Sequence, residues 1–226
     1  MRIKRALAVW TAVLTIAAGN FLAAAPIAAA ATHPAAGMAI PGTQCSTAFF
    51  DGNPLLGPQT LPAKGPIALI VRGYRRLAGL SESQFLDTYW DPAANGGQGG
   101  WRYPPDNGFL ILSGHPVEFP FTIRPGQEVD RFGSEYGSFL APLDTPYADR
   151  ALPPQSLDDF DPAYTCNYHL YRVLKPFEAE AGPIAPGFGQ PGLGLQYQLV
   201  SSLLPGAPAT ATVMWLISNG YLQRLN

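Results

Sequence analysis

The segment Tyr168-His-Leu-Tyr-Arg-Val-Leu174 alternates, setting His169, Tyr171 and Val173 on one side and Tyr168, Leu170, Arg172 and Leu174 on the other. A period of two in a run rich in aromatic and branched residues is the mark of a strand with two distinct faces. The same period returns at Gln196, Gln198 and Val200, set against Tyr197 and Leu199. Working outward, Gln127–Phe132 reads as a strand entered from the turn Arg124-Pro125-Gly126, and Phe109–Leu112 and Val117–Ile123 read as strands joined at Ser113-Gly114. Val213, Leu216 and Ile217 are at helical spacing, Asn219-Gly220 supplies a C-cap, and Tyr221–Leu225 reads as a last strand. Toward the N-terminus, Ile67–Val71 is expected as a strand. Ser81-Glu-Ser-Gln84 has the form of a capping box opening a helix over Glu82–Trp90. Strands outnumber helices and no strand-helix-strand rhythm is visible, so the expected class is α+β, with a mixed or mostly antiparallel sheet. Gly189, Gly192 and Gly194 have the wrong spacing for a dinucleotide fingerprint, and no long helix follows them.

Met1–Ala30 reads as a secretory signal peptide: Arg2, Lys4 and Arg5, then an apolar run broken at Gly19-Asn20, then an alanine-rich close with several A-x-A sites. A transmembrane anchor is the alternative for the same stretch. Export makes the protein secreted, and no membrane attachment is expected after cleavage. Residues 31–44 read as a flexible linker, 45–99 as a small N-terminal module and 100–226 as the main domain, with the glycine cluster Asn95–Gly100 at the boundary.

The chain carries 14 Lys and Arg against 16 Asp and Glu, and losing the signal segment removes three of the basic residues. A mildly acidic mature protein offers no electrostatic footprint for nucleic acid. Cys45 and Cys166 are the two cysteines, and in an exported chain they read as one disulfide closing a long loop; two free thiols is the alternative. No metal site is expected, because His33, His115 and His169 give no ligand spacing.

The richest chemistry is in Asp130–Pro154, DRFGSEYGSFLAPLDTPYADRALPP. Arg131 and Arg150 offer planar forks suited to pyrophosphate or carboxylate, and Gly133 and Gly137 permit close backbone approach. This stretch, together with GWRYPPDNGF from Gly100, PGQEVDRFGSEYGSFLAP from Pro125, TPYADRALPP from Thr145, YHLYRVLKPF from Tyr168 and GPIAPGFGQPGLGLQYQL from Gly182, closely resembles the secreted NAD glycohydrolases related to the tuberculosis necrotizing toxin, especially the surface NADases of fungi and actinobacteria.

That resemblance implies cleavage of the bond between nicotinamide and ribose in NAD+, with NADP+ as a further substrate and no cofactor. It implies that Arg131 contacts the pyrophosphate, that Arg150 is a second NAD-binding arginine, that His169 stands beside the substrate and that Gln196 is critical for turnover. Phe132, Tyr136 and Phe188 are expected to stack on adenine or nicotinamide, with packing as their other reading. The fungal members are homodimers, which makes a homodimer an expectation here without independent support from the residues. Their calcium site is not carried over, since no acidic residue follows Val200. Two further readings stay open: Glu178-Ala-Glu180 mimics the E-x-E of ADP-ribosyltransferases acting on proteins, and an exported binding module would keep the fold without the activity.

Overall fold

The computed structural model describes residues 40–226. The segment read as a signal peptide, and residues 31–39 of the segment read as a linker, lie outside the described residues. Residues 40–226 fall within one compact unit.

Seven strands form the main sheet: β5 (Phe119–Ile123), β6 (Glu128–Phe132), β7 (Phe139–Pro142), β8 (Tyr168–Val173), β9 (Phe177–Pro183), β10 (Leu195–Gln198) and β11 (Leu222–Arg224). Their order is β11-β8-β6-β7-β10-β9-β5, and every neighbouring pair is antiparallel. Two small ribbons precede them, β1 (Trp90–Asp91) with β2 (Gly100–Trp101) and β3 (Ile111–Leu112) with β4 (His115–Pro116). The α+β expectation holds, and the sheet is antiparallel throughout rather than mixed.

Alternation gives the sheet two unlike faces. Val129, Leu140, Tyr171, Val173 and Tyr197 join a core closed by Val213 and Leu216 of helix α4 (Val213–Ser218). On the other face Phe132 and Tyr168 pack with Tyr147, Leu157 and Cys166, and with Ile67 and Ile70 of helix α1 (Pro66–Ile70). The segment expected as a strand at Ile67–Val71 is thus a helix: Pro66 occupies its first turn, where a missing N–H costs nothing, and a five-residue apolar run has no period that separates helix from strand.

Helix α2 (Glu82–Tyr89) starts as expected, with Ser81 Oγ accepting from Gln84 N and Gln84 Oε1 accepting from Ser81 N. Its Phe85 is buried with Leu56 and Phe188. A four-residue turn, α3 (Ala94–Gly97), follows before β2. A disulfide joins Cys45 to Cys166, tying the start of the described chain to the approach to β8.

Candidate active site

The sheet's rungs set out the floor of the site. β6 against β7 places Asp130 opposite Ala141, and β10 against β9 places Gln196 opposite Gly182. One step along from the pair Tyr197 and Leu140, Gln196 meets Ala141. Asp130, Ala141, Gln196 and Gly182 therefore lie in one row across four strands, on the face away from α4. Ala141 has almost no side chain, which leaves space above the sheet beside Asp130 and Gln196, whereas Gly182 is covered by the Phe109 ring and the Val117 carbonyl. A cavity of about 830 Å³ opens there, within the usual range for small-molecule sites.

Its walls come from distant parts of the chain: Trp101 and Tyr103–Gly108, the strand ends Asp130–Ser134 and Phe139–Ala141, Arg150–Pro153 with Gln155 and Ser156, Phe160, Asn167, Ile184 and Gln196. Arg131, Phe132, Arg150 and Gln196 line this one cavity, although Arg131 and Gln196 are 65 residues apart in sequence. His169, Tyr136 and Phe188 do not line it.

Arg150 is buried and its Nη1 lies 2.6 Å from Asp130 Oδ1, itself fully buried. Tyr168 donates its hydroxyl to Asp130 Oδ2 at 3.0 Å, and Arg150 Nε donates to Thr145 O at 2.9 Å. Burial pushes the Asp130 carboxyl up, against the pull of Arg150. Arg150 Nη2 is buried without a hydrogen-bond partner among the described residues. Phe132 lies flat beneath this guanidinium, 5.2 Å from ring centroid to Cζ, with its edges against Tyr147 and Tyr168. The ring is almost wholly enclosed, so its role is to hold Arg150 by cation–π contact rather than to offer a free face.

Arg131 differs in having no carboxylate partner among the described residues. Its Nε donates to Ser134 O at 2.7 Å and its Nη1 to Phe139 O at 2.8 Å. Two carbonyls orient the guanidinium without neutralising it, and burial pulls its pKa down. Gly137 is what makes room: a Cβ there would come within 2.5 Å of the Arg131 Cζ and 2.8 Å of Nη1. Gln196 is also pinned, its Nε2 donating to Asn107 O at 3.1 Å. That bond fixes the amide's orientation and leaves Oε1 without a hydrogen-bond partner among the described residues.

His169 sits opposite Arg131 in the β6–β8 register but does not line the cavity. It is buried between Tyr164, 4.3 Å away, and Tyr171, with Nε2 3.2 Å from Asn167 Oδ1. Burial and the nearby Arg131 lower its pKa, outweighing Glu135, whose carboxylate is 3.7 Å from Nδ1. The imidazole lies behind Asn167, which itself lines the cavity. Tyr136 is 73% exposed at the tip of the Ser134–Gly137 turn, turned to solvent. Phe188 is 1% exposed, its ring met by Tyr89, Trp101 and Tyr103, so packing has claimed it. Among the aromatic side chains that line the cavity, Tyr103 and Phe160 are exposed and Trp101 and Phe139 half-buried, and the sequence marks none of the four.

Comparison with known proteins fits this geometry. Residues 122–225 match the family described as tuberculosis necrotizing toxin. The conidial surface nicotinamide adenine dinucleotide glycohydrolase nadA of Aspergillus fumigatus is 42% identical over 179 residues, spanning 79% of this chain and 71% of the fungal one. The chain belongs to the tuberculosis necrotizing toxin family. Among solved structures, this family member is similar to the tuberculosis necrotizing toxin complexed with its immunity factor IFT, at 22% identity and a TM-score of 0.49 over 78% of this chain and 79% of that one. A further match is Rhs1-CT in complex with its cognate immunity protein RhsI1, at 15% identity and a TM-score of 0.30 over 48% and 77%.

Proposed function

We propose that this family member is a secreted NAD+ glycohydrolase, releasing nicotinamide and ADP-ribose. The observation that carries the reading is a guanidinium, that of Arg131, oriented by two carbonyls and without a carboxylate partner among the described residues, in a cavity of dinucleotide size. A desolvated cation without an anion is a site for one. Arg150, with its Nη2 unused, supplies the second fork for a pyrophosphate.

The reaction asks little covalent chemistry of the protein. The bond from C1′ of the ribose to the pyridinium nitrogen breaks with its electron pair going to nicotinamide, which departs neutral. The oxygen of water bonds to C1′, and the surplus proton passes to solvent. No general acid is needed for such a leaving group, so the work is gripping, orienting and stabilising a cationic ribose. Gln196 Oε1, held in place through Nε2, is suited to accept from a ribose hydroxyl or from the attacking water. His169 fits a positioning role behind Asn167.

Glu178 and Glu180 lie on β9 on the side away from the buried alanines Ala179 and Ala181, and neither lines the cavity, which favours hydrolysis over transfer to protein. Secretion, turnover of NADP+ and a homodimeric state belong to the same proposal. The division into a linker, a module over 45–99 and a domain over 100–226 does too. The test is nicotinamide release from NAD+ and NADP+ by the purified chain, beside Arg131→Ala and Gln196→Ala. Loss of activity in both variants is expected; equal rates in all three proteins would remove the site assignment.

A further inference from the structure

Two carboxylates line the cavity, and one of them is spoken for: Asp130 is held by Arg150 and Tyr168. The other, Asp106, is exposed and makes neither an ion pair nor a side-chain hydrogen bond among the described residues. Its backbone is unusual. Asp106, Asn107 and Gly108 have φ of 49°, 56° and 79°, three successive residues in the left-handed region. Only glycine adopts that region freely, and aspartate and asparagine tolerate it best among the rest.

The turn is held by Gly108 N donating to Pro105 O, Phe109 N to Asp106 O and Ala185 N to Gly108 O. Its product is the contact already described, Asn107 O receiving Gln196 Nε2. An unfavourable backbone that a fold maintains beside a site is a pointer to function. Here it does two things at once: it orients the carboxamide and it carries an unpaired negative charge next to it.

Resting on the glycohydrolase reading, we infer that Asp106 is the carboxylate that faces the nicotinamide ribose and stabilises the positive charge as it moves from the pyridinium ring onto the sugar. Arg131 and Arg150 take the anionic part of the substrate; Asp106 and Gln196 take the part that becomes cationic. Asp106 receives no proton in the step, because the leaving group needs none and the water's proton goes to solvent. The interaction strengthens as C1′ gains charge, so it acts on turnover more than on ground-state binding.

The test compares Asp106→Asn and Asp106→Ala with wild type in kcat, KM for NAD+, Tm and affinity for ADP-ribose, whose ribose is neutral. Asparagine keeps the left-handed turn and removes the charge. For this variant kcat is expected to fall about 10- to 100-fold, with KM within about twofold and with Tm and ADP-ribose affinity unchanged. A wild-type kcat in Asp106→Asn overturns the inference, and if Asp106→Ala alone is impaired the residue serves only the turn. A rise in KM with kcat unchanged overturns it as well, making Asp106 a binding contact. Absence of nicotinamide release by the wild-type protein, measured first, would overturn the glycohydrolase reading itself and this inference with it.

Discussion

Replacing Gly137 by alanine isolates the placement of one cation. Gly137 has an ordinary backbone, so alanine is permitted there and would by itself stabilise the chain by about 0.4–1 kcal/mol through the unfolded state. The new methyl, however, meets the guanidinium of Arg131, with Cζ at 2.5 Å and Nη1 at 2.8 Å. The group must swing away and give up its bonds to Ser134 O and Phe139 O. Bonds to charged groups contribute about 1.5–3 kcal/mol each, but a long side chain beside an open cavity finds water instead, so the net change in stability is about 1 kcal/mol. Activity has no such substitute. A displacement of about 1 Å of a substrate-positioning group costs about 100-fold, or about 2.7 kcal/mol of barrier. The assay is kcat/KM for nicotinamide release from NAD+ by Gly137→Ala, Arg131→Ala and the double variant, with Tm for each. The double variant should be no worse than Arg131→Ala alone, since both changes remove one interaction. A Gly137→Ala protein with wild-type kcat/KM, or losses that simply multiply, would refute the reasoning.

Arg150→Ala should cost about 3–5 kcal/mol of folding stability by stranding fully buried Asp130; adding Asp130→Asn should recover stability in denaturant titrations without recovering activity. Burial pushes the Asp158 carboxyl up from its ordinary 3.8 to about 7, so folding binds a proton between those values and stability rises as pH falls through them. Asp158→Asn should therefore stabilise the protein at pH 8, on the order of 2 kcal/mol after discounting for solvent screening, and make little difference at pH 4, as read from urea midpoints. Cys45→Ser, or reduction, releases a constraint between residues 121 apart and should cost at most about 5 kcal/mol, visible as a lower Tm that vanishes as a difference under reducing conditions.

Much of the sheet was legible because its strands have unlike faces. Tyr168–Val173 and Leu195–Gln198 alternate, and the alternation is what packing used. The Ser81 and Gln84 cap is a local device, and local devices survive folding intact. β7 was hidden inside the arginine-bearing stretch, since Phe139–Pro142 is too short to display a period. At the site, Arg131, Arg150 and Gln196 line one cavity, whereas Phe188 and Tyr136 do not. An aromatic in a glycine-rich loop carries no sign of which way it turns, and here one ring was drawn into the Phe85 cluster and the other left outside. Nothing in the segment GWRYPPDNGF marks Asp106, because three left-handed residues in succession are a property of the folded backbone. The one local cue was the Asp-Asn-Gly composition, which any tight turn shares.

The carbonyl collar around Arg131 has a consequence for how the resting protein behaves. A positive group fixed in a partly dry place before any ligand arrives makes the empty state the less comfortable one, so small oxyanions in a buffer should occupy the spot and compete with substrate. Phosphate or sulfate would then raise the melting temperature while slowing turnover, two readings with a single origin in one unanswered charge.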